Sequence, residues 1–163
     1  MKVLGIDPGT AACGYGIVVQ KDGRLRAVDH GWWTTRADER PEHRLKTIFE
    51  GVAGLIALHA PDAVALEESF VGVDARTALS VGQARGAVLV ACARAGVDCA
   101  EYPPARVKQA VCGYGRAEKQ QVQKMVKAIL GLQSEPTPTH AADALAVAIC
   151  HVLAPPLLNV VTA

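Results

Sequence analysis

Two short apolar runs, each ending in a carboxylate, constrain this chain more than any other feature. Residues 3–6 (Val-Leu-Gly-Ile) are followed by Asp7, and residues 63–66 (Ala-Val-Ala-Leu) are followed by Glu67. Runs this short and this apolar predict buried strands in the middle of a sheet. A carboxylate at the end of a buried strand is costly unless it is paired or bound to a cation. The sequence therefore predicts partners for Asp7 and Glu67 elsewhere in the chain.

The hydrophobic pattern predicts three strands, then a helix, a strand, a helix, a strand and further helices. Strands are predicted at residues 2–7, 14–20, 25–35, 63–68 and 97–102, and helices at 41–59, 75–95, 105–112, 118–130 and 138–153. Asp22-Gly23 predicts a hairpin between the second and third strands. Strands four and five each follow a helix, which predicts parallel pairing. We expect an α/β fold with a mixed five-stranded sheet, three strands antiparallel and then two parallel, flanked by helices.

The ends of the last two helices have recognisable signals. Gly131 is predicted to end the helix that begins near residue 118. Thr137 and Pro138 are predicted to be the cap and the first-turn residue of the last helix.

Length and composition exclude several classes of protein. With 163 residues, 50% of them hydrophobic, the chain is expected to form one domain at 1–153, with 154–163 as a C-terminal tail of unassigned role. No apolar run approaches the roughly 18 residues of a membrane helix, and the start turns acidic too soon for a signal peptide. Five cysteines without a CxxC pair are interpreted as small core residues in a reducing compartment. A cytoplasmic protein is expected.

The charges are distributed unevenly although the net charge is only +1. Residues 104–130 contain six basic residues and one acid, whereas residues 60–74 contain four acids and no base. An acidic focus near a basic stretch suits an enzyme that binds a polyanion and holds metal ions. A solvated helix face at 118–127 is the simpler interpretation of the basic residues.

His140 and Asp143 supply the partners that the two strand-end carboxylates need. They are three residues apart, so they share a face of the last helix, and they lie in its first two turns, where the helix dipole favours carboxylates. Docking this helix end at the tips of the first and fourth strands would make a four-ligand pocket. The small side chains of residues 141, 142 and 144, all alanine, would let the helix approach the sheet closely. Such a pocket suits two Mg²⁺ or Mn²⁺ ions about 4 Å apart that hydrolyse a phosphodiester.

Each of these residues also has a simpler interpretation when it is taken alone. Asp7 in Asp-Pro-Gly caps turns, Glu67 suits a solvated strand end, and His140 suits a surface position. Phe70, close to Glu67 in sequence, fits either a core position or an aromatic that stacks on a DNA base. Their joint occurrence favours the metal site.

The ordered set of motifs resembles the RuvC family of Holliday junction resolvases. The resemblance runs from about Met1 to His151, and its motifs are residues 5–10 (GIDPGT), 14–16 (GYG), 65–70 (ALEESF), 82–86 (GQARG), 107–111 (VKQAV), 115–123 (GRAEKQQVQ) and 141–146 (AADALA). The family implies a ribonuclease-H-like fold and metal-dependent hydrolysis with Mg²⁺ or Mn²⁺. Asp7, Glu67 and Asp143 fall on its catalytic acidic positions. His140 falls where many members carry Asp, so its role as ligand or proton shuttle is open.

The resemblance also implies a substrate and partners. Family members act as homodimers that bind a four-way DNA junction, nick two strands of like polarity symmetrically and cooperate with the RuvA and RuvB branch-migration proteins. Candidate DNA-binding residues are Phe70, Arg76, Lys108 and Lys119. Phe70 matches a loop aromatic that enters the junction, and the two lysines match basic residues that contact the backbone near the cut.

The helix at 75–95 is our candidate dimer interface, because Gly82 and Gly86 permit close approach; packing on the sheet alone is the alternative.

Three other functions remain open from the residues. The first is one lobe of an actin-like ATPase, since the loop around Asp7 resembles a phosphate loop. The second is a non-catalytic module that binds branched DNA through residues 104–130. The third is a nuclease of RNA or linear duplex.

Overall fold

A computed structural model describes residues 1–68 and 74–154 of the chain. Its strands are β1 (Lys2–Asp7), β2 (Ala12–Lys21), β3 (Arg24–Thr34), β4 (Ala63–Glu67) and β5 (Cys99–Tyr102). Its helices are α1 (Pro41–His59), α2 (Ala75–Ala95), α3 (Pro104–Cys112), α4 (Lys119–Leu130) and α5 (Thr139–Leu153). Every predicted helix and strand has a counterpart here.

The strands form one sheet in the order β3-β2-β1-β4-β5. β2 pairs antiparallel with both β1 and β3, whereas β4 pairs parallel with both β1 and β5. This confirms the predicted mixed sheet, with three antiparallel strands followed by two parallel ones. β1 and β4 are central neighbours, as their near-continuous apolar sequences required.

Several predicted boundaries were wrong by one or two residues, and two of them have a clear local reason. β5 begins at Cys99 rather than at residue 97, because the Val97 backbone N–H donates to the Cys92 carbonyl and so still belongs to the end of α2. Thr137 is not the cap of α5: the cap position is Pro138, without a side-chain cap hydrogen bond, and the helix begins at Thr139. The first helical bond runs from Ala141 N–H to the Pro138 carbonyl, which leaves Thr137 one position outside the helix.

Both faces of the sheet are covered by helices. In β1, Val3 packs on the side of α3, α4 and α5, while Leu4 and Ile6 pack on the side of α1 and α2. This alternation follows from the two-residue period of a strand. All five cysteines were predicted as small core residues: Cys13, Cys92 and Cys150 are buried, whereas Cys99 and Cys112 are only half-buried. Of the helices described, none combines the length and apolarity needed to span a bilayer.

Candidate active site

The two strand-end carboxylates emerge side by side. β1 and β4 pair in parallel with Ile6 opposite Leu66, so the following residues, Asp7 and Glu67, leave the sheet at the same edge. Both side chains are partly exposed. The sheet register therefore confirms the predicted adjacency of these two acids.

Helix α5 completes the cluster because its first turns lie directly on β1 and β2. A Cβ built at Gly14 would lie 2.1 Å from the His140 carbonyl oxygen, and one built at Gly5 would lie 2.0 Å from the Ala144 carbonyl oxygen. Both distances are shorter than any normal contact, so side chains at these two positions would push the helix away. The predicted close approach therefore depends on glycines of the sheet as well as on the alanines of α5.

Asp7, His140 and Asp143 come together as three potential metal ligands. One ligand atom from each lies within 4.8 Å of the others. Nδ1 of His140 lies 2.9 Å from Oδ2 of Asp7, which leaves Nε2 of the imidazole for a cation or a proton. Oδ2 of Asp143 accepts a hydrogen bond of 2.8 Å from the Lys119 ammonium group. The cluster joins the first strand to the last helix.

Glu67 interacts electrostatically with Asp7 and Asp143, although it is not one of the three residues whose ligand atoms lie within 4.8 Å of one another. The pKa of Glu67 is raised to about 7, mainly by burial and in addition by the negative charges of Asp7 and Asp143. Burial also raises the pKa of Asp7, with the charge of Asp143 acting in the same direction and the hydrogen bond from His140 opposing it. Carboxylates held this close repel one another, so a bound cation would lower the free energy of their charged forms.

The donor atoms fit a hard divalent cation. Three carboxylates and one imidazole offer oxygen ligands, which Mg²⁺ and Mn²⁺ prefer, with one softer nitrogen that Mn²⁺ accepts more readily than Mg²⁺. Burial, and after it the neighbouring carboxylates, raise the pKa values of Glu67 and Asp7, so a bound cation would stabilise the charged forms of both groups. The residues present therefore fit the metal ions implied by the sequence.

Positive side chains border the acidic cluster on two sides. Lys108 and Lys119 line a pocket of about 230 Å³ together with Glu67 and Asp143. Arg76 lines a separate groove of about 650 Å³, which Asp7 and His140 also border. Of the candidate DNA-binding residues, Phe70 lies outside the described ranges. The acidic cluster thus lies between a lysine pocket and an arginine groove.

Sequence reasoning missed several residues of the arginine groove. Arg44 of α1 and Ser80 of α2 line it, and Thr35 contacts Arg44 from the end of β3. Arg44 sits in the first turn of an amphipathic helix, where a charged residue is unremarkable. The sequence offered no signal that this residue faces the site.

Comparisons with known proteins agree with this arrangement. The sequence profile of the family described as "Crossover junction endodeoxyribonuclease RuvC" matches residues 3–151. A protein of that name from Moorella thermoacetica is 52% identical over 151 residues, which are 93% of this chain and 90% of the relative.

Two solved structures from Thermus thermophilus superpose on nearly the whole chain. RuvC alone gives a TM-score of 0.86 at 41% identity, and RuvC in complex with a Holliday junction substrate gives 0.86 at 38% identity. In both cases the match covers 93% of each chain. These similarities extend over the sheet and over all the helices that carry the acidic cluster.

Proposed function

Because this chain belongs to the RuvC family of crossover junction endodeoxyribonucleases, we propose that it resolves four-way DNA junctions. Resolution proceeds by metal-dependent nicking of two strands of like polarity at symmetric positions. The observation that carries the proposal is the convergence of Asp7, His140 and Asp143 at one sheet edge, with Glu67 beside them. These groups come from the end of β1, the end of its parallel neighbour β4 and the first turns of α5.

In this proposal Asp7, Glu67, His140 and Asp143 hold Mg²⁺ or Mn²⁺, two ions in each active site. When bound, the ions supply Lewis acidity at the scissile phosphate. Lys108 and Lys119 bind the DNA backbone at the rim of the pocket that they share with Glu67 and Asp143. Lys119 pairs with Asp143 in the free protein, so phosphate and carboxylate compete for the same ammonium group.

Two copies of the chain are needed for this activity. One active site makes one nick, and a two-fold dimer matches the symmetry of two equivalent cuts. Helix α2 supports this role because one side of it packs inward through Ala84, Val88 and Cys92, while another side stays open. On the open side Leu79 and Val90 are exposed, and Cβ atoms built at the two glycines between them, positions 82 and 86, would meet no atom of the described residues within 4 Å. We propose this side of α2 as the dimer interface.

Membership of the family is the only support for the proposed cellular location and partner proteins. We place the protein in the cytoplasm, where it acts with RuvA and RuvB on branched DNA. Co-purification of tagged protein with both branch-migration proteins on a synthetic junction tests this partnership. Failure to form such a complex on the junction would contradict it.

The activity is tested with a synthetic four-way junction in the presence of Mg²⁺ or Mn²⁺. We expect paired nicks in the junction, few cuts in linear duplex and no cutting in EDTA. The variant Glu67→Gln should cut slower by a factor on the order of 100 or more, because a charge aimed at the reacting centre is lost. Its affinity for the junction should stay within about twofold, since no phosphate contact is removed.

The matched control is Glu68→Gln, because Glu68 is the exposed neighbour of Glu67 in the same strand end. Glu68→Gln should cut at the wild-type rate. Equal rates for wild type and Glu67→Gln would disprove the assignment of the site. Equal cutting of linear duplex and junction would disprove the substrate. We do not expect ATP hydrolysis, because this edge of the sheet carries the acidic cluster rather than a phosphate-binding loop.

A further inference from the structure

The groove of about 650 Å³ beside the acidic cluster is lined by two arginines and several hydroxyl groups. Arg44 and Arg76 share it with Thr10, Thr77 and Ser80, and Asp7 and His140 form its border with the metal site. A ligand in this groove would therefore extend directly from the acidic cluster. The lysine pocket lies on the other side of that cluster, bordered by Glu67 and Asp143.

Arg44 differs from the two arginines that precede it most closely in sequence. Arg36 and Arg40 each pair with an acid two residues away, Asp38 and Glu42, at 2.6 Å. Arg44 is half-buried, and its Nε–H donates instead to the hydroxyl of Thr35 at 2.8 Å. A guanidinium group has five N–H donors, so this single bond leaves most of them for a ligand.

The position of Arg44 is fixed by a chain of hydroxyl groups. The Thr35 hydroxyl accepts from Arg44 and donates to the carbonyl of Thr10. The hydroxyl of Thr10 in turn forms a hydrogen bond with that of Ser80 in α2. This chain connects the end of β3, the turn after Asp7 and the start of α2, so it holds the guanidinium against the loop that carries a metal ligand.

Arg44 forms no ion pair among the described residues. A partly desolvated guanidinium without such a partner is costly, and an anion in the groove would offset that cost. Its forked donors suit the paired oxygens of a phosphate. We propose that Arg44 binds a backbone phosphate of the junction strand on the Asp7–His140 side of the acidic cluster, with Arg76 beside it, and that Thr35 positions the Arg44 guanidinium. The inference rests on the proposed function, because it takes DNA to be the occupant. The scissile strand then crosses from the lysine pocket to the arginine groove, held on both sides of the cut.

The first test compares Arg44→Ala with Arg40→Ala. Arg40 lies one helical turn earlier, is exposed and pairs with Glu42, so both variants lose one positive charge in the same region. Binding of a fluorescent four-way junction is measured in EDTA at several KCl concentrations. We expect Arg44→Ala to reduce the slope of log affinity against log salt by about one and to weaken binding about tenfold, as for a lost charge-assisted contact. Arg40→Ala should match the wild type.

Identical slopes for the two variants would overturn the inference. Arg44→Gln, which keeps most of the side-chain stem, serves as a second variant in case Arg44→Ala does not fold, and its slope should also fall by about one. Cleavage by the wild type in Mg²⁺ is measured with the same junction. A wild type that binds but does not cut contradicts the proposed function, whereas a wild type that cuts while Arg44→Ala and Arg44→Gln bind normally contradicts this inference alone. A wild type that does not bind contradicts both.

The role of Thr35 is tested by a double-mutant cycle. Thr35→Val should weaken binding less than Arg44→Ala, and the double variant should bind like Arg44→Ala, because Thr35 acts through Arg44. Thr35→Ser keeps the hydroxyl and should restore wild-type affinity. Additive losses in the double variant, or a failure of Thr35→Ser to restore binding, would contradict the positioning role.

Discussion

At the scale of single residues, Glu67 is a carboxylate whose charged form is destabilised by folding. Its pKa is raised from 4.5 to about 7, first by burial and then by Asp7 and Asp143. The folded protein thus binds a proton at Glu67 more tightly than the unfolded chain does. Without metal, the free energy of unfolding should fall as the pH rises from about 4.5 to about 7, and it should stay low at higher pH.

Glu67→Gln removes this titration, so in EDTA the variant should be more stable than the wild type at pH 8 and equal to it near pH 4.5. One pKa unit corresponds to about 1.4 kcal/mol. After a discount for the partial exposure of the side chain, we expect a gain of about 1–2 kcal/mol. Urea unfolding of both proteins at the two pH values measures it. Saturating Mg²⁺ should reverse the order, because the wild type gains more from the ion.

The same residues show what the sequence could and could not predict at this scale. Asp7, Glu67, His140 and Asp143 were identified because carboxylates after buried strands and within an alanine-rich helix are unusual. Arg44 was not, because an arginine on an amphipathic helix looks the same in sequence whether it faces solvent or a groove. Its partner Thr35 is nine residues away, and a contact of that kind depends on how α1 leaves the sheet.

At the scale of elements, the site depends on α5 lying flat against β1 and β2. Gly14→Ala should disturb this packing, since the added Cβ would lie 2.1 Å from the His140 carbonyl oxygen and 3.0 Å from the His140 Cβ. We expect a loss of about 1–3 kcal/mol in the free energy of unfolding, the usual cost of overpacking. The affinity for Mn²⁺ should fall as well, because His140 moves away from Asp7. Urea unfolding and titration calorimetry measure the two effects.

Gly54→Ala is the matched control, because a Cβ at Gly54 in α1 would have no neighbour within 4 Å in residues 1–68 and 74–154. This variant should gain stability slightly, as alanine favours a helix, and should bind Mn²⁺ normally. Wild-type metal affinity in Gly14→Ala would show that α5 can shift without moving its ligands.

Element order and pairing were predictable because hydrophobic periods of two and of about 3.6 residues differ clearly along this chain. The parallel pairing of β1 and β4 followed from the helix between them. The start of α5 was predicted one position too early, since Thr137-Pro138 and Pro138-Thr139 both resemble a helix start. Gly5 and Gly14 are required by their contacts with a helix about 130 residues later in the chain. No local sequence pattern predicts such contacts.

At the scale of the whole molecule, the proposed symmetric resolution needs two linked active sites. Val90→Asp places a charge on the open side of α2, where Val90 is 54% exposed, and should leave the protein monomeric. On a supercoiled plasmid with an extruded cruciform, the variant should give nicked circles, whereas the wild type should give linear product from two cuts in one binding event. Analytical ultracentrifugation and gel analysis of the plasmid measure the two effects.

Leu58→Asp is the corresponding control, because Leu58 is even more exposed, at 75%, and lies on α1. This variant should remain dimeric and should give linear product. A dimeric Val90→Asp would show that the interface lies elsewhere, and a monomeric protein that still gives linear product would show that the two cuts need no dimer.

The acidic cluster joins distant parts of the sequence: Asp7 and His140, in direct contact, are 133 positions apart. During synthesis β1 leaves the ribosome well before α5. A chain that stops before α5 lacks two of the four proposed metal-binding groups, even if its sheet has formed. On this assignment, the capacity to cut appears only after α5 has been synthesised and has packed on the sheet.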